Sequence, residues 1–598
     1  MVQYLTRIAV LLTAFSASAQ TTVTGTVVDE AGKPIGAVRV RVTPVPSTGV
    51  PQSDPEFIVT GADGTFSIDA DVTAGKQFYL GVGKTRFVNV SGLIKAKAGT
   101  TPLGKVTLEG VSPIDNVSYS WVKPYVDKKD QTDLGCNFCH GKQHEAWKGS
   151  KMAISAKDPL VLSYYEGKDL AGAPAGDGWR VDHPDEAGPC ANCHAPAAAA
   201  NAPGKTVLSE VTGTAKEGVF CDICHKVRDV LPGAGPGVGG SLVLTRPSAW
   251  TGLFAFGPFN DAFGMPMTTS YNETITKARM CAGCHEWQND QGVPVLSTFS
   301  EWSEMSGADP AALQCQDCHM KKKFGDGYTG EPKPTLGYIL DDQMQQGMPG
   351  VKRWSDSVFP HVFTGGEDLA YEAAKVTLDL AQDGGDLVAT IAVKNVNAGH
   401  ALPTGMPFRN MILVVDADVG GVKLTQTGGP VVPDYGGEGT APEDLAGKPG
   451  KGYARVLGDG KGGRMTPFWR ATEVLEDTRI RAAETDEVEL RFAVPQAGGK
   501  AHVTAALVYR RGYRPMVLEK KWDVEDAAIG GAARELDLSA PPPPEQDAGT
   551  VPPAAEPAAA VAPERTDGCA ATPTGAPSAL APLALLLALV ALRRRAGG

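Results

Sequence analysis

C-N-F-C-H (136–140), C-A-N-C-H (190–194), C-D-I-C-H (221–225), C-A-G-C-H (281–285) and C-Q-D-C-H (315–319) are five copies of one pentad, and they use ten of the chain's eleven cysteines. A C-x-x-C-H pentad reads as an attachment site for c-type haem. Cys136 and Cys139, Cys190 and Cys193, Cys221 and Cys224, Cys281 and Cys284, and Cys315 and Cys318 form thioethers to the haem vinyl groups. His140, His194, His225, His285 and His319 are then placed to bind iron axially. Structural zinc would require cysteine pairs about 15–20 residues apart, and it explains neither the wide spacing here nor the His after every pair. Disulfide frameworks belong to small, cysteine-dense domains. A thioredoxin-like pair needs a βαβ setting, which the Ala/Gly/Pro-rich flanks do not offer. Five covalently bound haem c groups are the expected cofactors.

The termini read as topogenic. Residues 1–19 have the parts of a signal peptide: Arg7 in the n-region, Ile8 to Phe15 as the apolar h-region, and Ala17-Ser18-Ala19 as the cleavage site. That apolar run is too short to span a bilayer. At the other end, Cys569 precedes an apolar stretch (574–592) and Arg593-Arg594-Arg595. Spanning requires about 20 apolar residues, so the stretch is marginal, and the arginines would stay cytoplasmic by the positive-inside rule. This tail, 568–598, resembles the Myxo-CTERM sorting tail, which implies processing near Cys569 and lipid attachment there. A plain single-span anchor is the alternative. Either reading expects an exported protein of the periplasm or outer cell surface, held to the membrane by its C-terminal tail.

The formal charge of −12, with no basic patch, excludes nucleic acid as an expected partner. Acidic surface would instead attract basic partner surfaces.

The expected fold class is multidomain. Residues 20–111 alternate apolar and polar side chains between Gly/Asp/Pro turns, as in T-V-T-G-T-V-V-D and F-S-I-D, and read as a β-sandwich. The segment resembles carboxypeptidase regulatory-like domains, which implies a non-catalytic module. Residues 112–365 form the expected pentahaem region, helical and irregular, with each pentad on a short helix because one helical turn brings both thiols and the imidazole to one side. Residues 366–538 return to strand alternation (L-V-A-T-I-A-V-K, M-I-L-V-V-D-A-D-V, V-E-L-R-F-A-V) and fit an immunoglobulin-like sandwich. A Gly-rich insertion at 428–465 is expected to be a long loop that covers a haem edge. Residues 539–567 are a Pro/Ala-rich linker, and a C-terminal anchor helix follows.

Haem chemistry depends on the second axial position. The candidates for distal iron ligands are His144, His183, His361, His400 and Met152. His144 lies one turn beyond His140 and could only reach a neighbouring haem. His183 sits in V-D-H-P-D, in a loop before the second pentad. His361 lies in F-P-H-V-F-T-G-G, and His400 in a turn between two strands. Met152 follows the first pentad in W-K-G-S-K-M-A. His502 starts a strand and reads as a surface or packing residue.

C-N-F-C-H-x3-H-E-A-W-K-G-S-K-M-A, G-V-F-C-D-I-C-H, T-F-S-E-W, C-Q-D-C-H-M, F-P-H-V-F-T-G-G and G-H-A-L-P-T-G resemble multihaem cytochromes of the cytochrome c-554-type superfamily over residues 130–510. The resemblance implies an exported electron carrier with His361 and His400 as distal ligands. Many relatives carry a ligating His where this chain has Met152. The expected function is electron transfer in the cell envelope, with quinol-linked proteins or other cytochromes as partners and no catalytic residue assigned. Two alternatives stand beside it: a multihaem reductase of a small N- or S-oxyanion at one open haem, and a surface scaffold or adhesion protein with secondary haems. No C-x-x-C-K variant, as used by pentahaem nitrite reductases, is present.

Overall fold

The computed structural model describes residues 21–44, 57–126, 135–248, 253–260, 262, 267–307, 313–320, 359 and 361–541. The leader at 1–19, nearly all of the linker at 539–567 and the tail at 568–598 lie outside the described residues. Among the described residues no helix is long and apolar enough to cross a membrane.

The alternation at the start of the chain folds into two packed sheets. Thr21–Asp29 lies between Thr65–Ala70 and Thr100–Leu108, antiparallel to the first and parallel to the second. The facing sheet runs Phe57–Val59, Arg39–Pro44, Gln77–Gly83, Val90–Lys95. Side chains two apart share a face, so Val23, Phe66 and Leu108 meet Val40, Phe78 and Val82 in a closed core. The turn after the first strand is tied by Asp29, whose carboxylate accepts from the Ala31 and Lys33 amides (3.0 and 2.8 Å).

This sandwich braces a two-stranded parallel ribbon of the central region, Leu253–Gly257 with Met267–Tyr271. The Tyr271 amide donates to Asn89 (2.9 Å), and the Arg39 guanidinium sits 4.4 Å over the Tyr271 ring.

Between the two sandwiches the chain forms short helices, the longest described one being Thr298–Ser306 with nine residues. Its largest buried cluster is built mainly from small side chains, among them Ala191, Ala195, Ala199 and Ala282. Such residues bury little apolar area each.

The second sandwich pairs a four-stranded sheet (Ala374–Asp383, Asp386–Asn395, Thr485–Ala493, Gln426–Gly428) with a six-stranded one. The larger sheet runs Glu473–Asp477, Gly450–Gly458, Asn410–Val419, Gly499–Arg510, Ala527–Leu538, with Val422–Lys423 hairpinned onto the third. Leu387, Ile391 and Leu490 of one sheet pack on Met411, Leu413 and Leu507 of the other, all fully buried.

The Gly-rich segment 428–465 is not the long loop its composition suggests. It contains the strand Gly450–Gly458, which is buried almost throughout because both of its faces are covered. A strand buried on both faces shows no alternation to read. Its glycines have a packing reason: a Cβ on Gly452 would lie 2.0 Å from the Tyr435 hydroxyl.

The central region and second sandwich share polar contacts. Asn289 Nδ2 donates to the Phe468 and Ala471 carbonyls, both at 2.8 Å, and the Trp522 indole donates to Ser163 (2.9 Å). Asp182 accepts from Trp469 (2.6 Å) and twice from Arg470 (both 2.5 Å).

Candidate haem centres

Four pentads are helical, within Cys190–His194, Cys221–Cys224, Arg279–His285 and Cys315–His319, while the first opens as a 3-10 turn, Cys136–Phe138. In the first and third, the His amide donates to the carbonyl of the first Cys (His140 to Cys136, 2.9 Å; His225 to Cys221, 3.0 Å). One turn therefore separates the first thiol from the imidazole, and both fall on one side of the helix.

Two motif imidazoles face a second imidazole from far along the chain. His225 and His361 have ring centres 6.4 Å apart and planes 22° from parallel, and His319 and His400 have centres 6.3 Å apart and planes 20° from parallel. An imidazole nitrogen sits about 2.0 Å from a metal it binds and roughly 1.1 Å from its own ring centre, so two rings on one ion hold their centres about 6.2 Å apart. The observed gaps match an axial pair with a metal between them and are too wide for ring-on-ring stacking.

The second nitrogen of each ring supports the same fit. Nδ1–H of His225 donates to the Phe256 carbonyl (2.6 Å), His319 to Thr364 (3.0 Å), His361 to Phe359 (2.5 Å) and His400 to Ala401 (2.9 Å). A carbonyl can only accept, so the proton is on Nδ1 and the Nε2 lone pair is free. Metal-binding histidines are held in this way. His194 shares the pattern, with Nδ1–H donating to Ser155 (3.2 Å). Burial lowers the imidazoles of His194, His225 and His400, and lowers those of His285 and His361 to about 4. Neutral rings with available lone pairs result. His361 and Phe363 both adopt positive φ (67° and 49°), a tight bend uncommon for side-chain-bearing residues that turns His361 toward His225.

Thiols of different pentads lie side by side. Cys136 is within hydrogen-bonding reach of Cys221, Cys193 of Cys284, and Cys281 of Cys315. The attachment points of the first and third pentads therefore adjoin, and those of the fourth adjoin both the second and the fifth.

The variable positions of the pentads tie them to neighbouring segments. Asn137 exchanges two bonds with the Val126 backbone (3.0 and 3.1 Å), Asn192 accepts from the Gly204 amide (2.9 Å), and Gln316 donates to the Ile275 and Lys277 carbonyls (2.9 and 2.8 Å). Asp222 accepts from the Tyr119 hydroxyl (3.0 Å) and the Val122 amide (2.8 Å), and pairs with the fully buried Lys226. Lys226 also donates to the Phe254 carbonyl (2.6 Å). A buried ion pair with its remaining hydrogen-bonding groups engaged fixes geometry without leaving an uncompensated charge.

The other candidates are placed differently. His144 is buried, stacked on Tyr125 at 5.6 Å and beside Trp147, with Nδ1 3.5 Å from Glu145. His183 stacks on Trp179 at 4.3 Å. Neither faces another imidazole among the described residues. Met152 packs against the cluster of Trp147, Phe220 and Ile223, and its carbonyl accepts from the Val219 amide (3.1 Å). His502 is half exposed, 3.5 Å from Asp418. Sequence reasoning missed the carbonyls that orient each imidazole, because any residue type supplies one. It also missed Glu301 beside the His400 loop, although the Glu in T-F-S-E-W was in view.

Residues 135–226, which hold the first three pentads, match the sequence model of the family described as cytochrome c554 and c-prime. With the pentads that follow, the match supports a multihaem c-type cytochrome with covalently bound haem c. Among solved structures the chain is similar to a penta-heme cytochrome c552 from Thermochromatium tepidum, at 21% identity over 67% of this chain and 97% of that one, with a TM-score of 0.47. A 3-chlorocatechol 1,2-dioxygenase from Rhodococcus opacus 1CP aligns over 16% of this chain and 62% of that one, at 14% identity and a TM-score of 0.14. No curated protein matches the chain.

Proposed function

We propose that this chain is an exported, membrane-attached cytochrome that carries five covalent haems and exchanges single electrons with redox partners of the cell envelope, quinol-linked proteins or other cytochromes. The cofactor supplies one-electron chemistry through ferric and ferrous iron. The protein supplies attachment, orientation and surroundings. Each pentad would hold one haem through its two cysteines and its histidine, and His361, facing His225, and His400, facing His319, would supply further imidazole ligands to two of them. The paired imidazoles, at 6.4 and 6.3 Å, are the observation that carries this reading. Backbone carbonyls fix their tautomers, so the ligands need little rearrangement when the charge on the iron changes. Adjacent attachment thiols keep the bound groups close together, which electron exchange among them requires. The signal-like leader and the sorting-like tail support export and membrane attachment.

Reductive titration of the purified, exported protein is expected to take up five electrons per chain. The reduced protein is expected to be reoxidised by an oxidised envelope cytochrome and not by nitrite or sulfite, which probe the N- and S-oxyanion alternative. Uptake of fewer electrons, or turnover with either anion, would overturn the carrier reading.

A further inference from the structure

The loop bearing His400 belongs to the second sandwich, while the imidazole it faces, His319, belongs to the central region. Something must hold the two together to within tenths of an ångström. Glu301, on the helix Thr298–Ser306 of the central region, reaches the loop. Its two carboxylate oxygens divide the work. Oε2 accepts from the Ala401 amide (3.2 Å) and the Thr404 hydroxyl (2.8 Å), on either side of the bend that follows His400. Oε1 accepts from Arg479 (2.6 Å) and from Ser297 at the start of its own helix (2.6 Å).

Arg479 and Arg455 both bond to Asp477, and Arg455 reaches back to Ser297 (2.8 Å). Two carboxylates and two guanidiniums make a neutral, largely buried quartet. Burial pushes the Glu301 carboxyl up, but Arg479 and the hydroxyl donors more than offset this, so it is ionised at neutral pH. Leu402 is pinned from the same side, exchanging backbone bonds with Ile480 (2.8 and 2.9 Å). Asn395 Nδ2 donates to the His400 carbonyl from within the sandwich (2.8 Å).

We infer that Glu301 is the positioning residue for His400, clamping the sandwich loop onto the central region so that the imidazole stays opposite His319. This rests on the reading of His400 as an axial ligand. Charge-assisted hydrogen bonds to a carboxylate are the strong class, and both oxygens of Glu301, on the central-region helix, accept from donors of the second sandwich.

The test uses the exported, full-length holoprotein. Glu301→Ala, Glu301→Gln, Thr404→Val and His400→Ala are compared by spin-resonance spectra of the oxidised protein and carbon monoxide binding to the reduced one. His400→Ala is expected to turn one haem high-spin and able to bind carbon monoxide. Glu301→Ala should do the same in a large fraction of molecules, and Glu301→Gln in a smaller fraction. Added imidazole should restore the low-spin signal in each, which shows that the iron has lost a ligand and that the haem itself is retained. If Glu301→Ala is not exported, Thr404→Val decides, with Thr298→Val as its control: Thr404→Val removes the loop's bonds to Glu301 (2.8 Å) and to Thr298 (3.0 Å) and leaves the quartet intact, and a partial high-spin signal larger than that of Thr298→Val is expected. His400→Ala turning one haem high-spin while both Glu301→Ala and Thr404→Val stay fully low-spin would overturn the clamp alone. An unchanged spectrum in His400→Ala would overturn the ligand reading beneath it.

Discussion

A Cβ built on Gly283 would lie 2.2 Å from Cδ2 of Leu242. The fourth pentad, C-A-G-C-H, is therefore pressed against the hairpin Val227–Val230/Leu242–Leu244 that follows the third. The Gly283 carbonyl also accepts from the Gly237 amide (2.8 Å). In this pentad the glycine is a packing requirement, and its carbonyl is part of the seam.

Gly283→Ala is accordingly expected to destabilise the protein by about 1–3 kcal/mol, the usual range for overpacking a core. Leu242→Ala added to it should recover part of the loss, because the clashing methyl is removed. Denaturant midpoints of the two single variants and the double variant check this. A double variant as unstable as the sum of the singles would show that the contact is not the cause.

The His225–His361 pair leads to a spectroscopic expectation. His361→Ala should convert one low-spin haem to high-spin with no change in the number of haems attached, because the thioethers at Cys221 and Cys224 are untouched. Haem stain and spin-resonance signal, measured on the same sample, separate attachment from ligation. A fully low-spin His361→Ala protein would mean that the facing imidazoles are not an axial pair.

Asp477 gives a pH dependence of known sign. Burial raises its carboxyl, but Arg479 and Arg455 more than offset this, and the group is held below its ordinary value in the folded protein. A depressed folded-state value contributes stability above the unfolded value of about 3.9, and that contribution is lost as pH falls through the folded value. Acid melts between pH 5 and pH 3 (a roughly two-unit window about that value) should show the wild type losing more stability than Asp477→Asn. Equal acid sensitivity in the two proteins would contradict the assignment.

Arg470 joins the second sandwich to Asp177 and Asp182 of the central region. The arginine side chain is 42% exposed, so solvent screens the pair. Arg470→Ala is expected to cost no more than about 1 kcal/mol, and less at high salt. Melting temperatures at low and high ionic strength measure both parts of this expectation.

The helical pentads were legible in the sequence because each is local. Two thiols and an imidazole within five residues need only one helical turn to converge, and no distant partner has to be known. The alternation of L-V-A-T-I-A-V-K and M-I-L-V-V-D-A-D-V was legible for the same reason: each of those strands carries its own record of which face is buried.

What stayed hidden was non-local or faceless. Gly450–Gly458 is covered on both sides and glycine-punctuated, so composition argued for a loop where a sheet strand lies. His361 and His400 stood out through family resemblance, but their partners, His225 and His319, depend on how distant segments meet. The contacts of Glu301 were invisible because Arg479 and Thr404, which bond it, lie more than a hundred residues further along the chain. The adjacency of Cys136 with Cys221 and of Cys193 with Cys284 likewise follows from packing that no spacing rule encodes.

Covalent haem attachment at all five pentads is the property on which every other role depends. Intact-mass spectrometry of the exported protein, unfolded in acid to strip anything bound without a covalent link, measures that directly. The predicted spectrum shows one dominant species carrying five haem increments on the processed chain. A dominant species with fewer increments, or the bare chain mass with free thiols at 136 to 318, would contradict it.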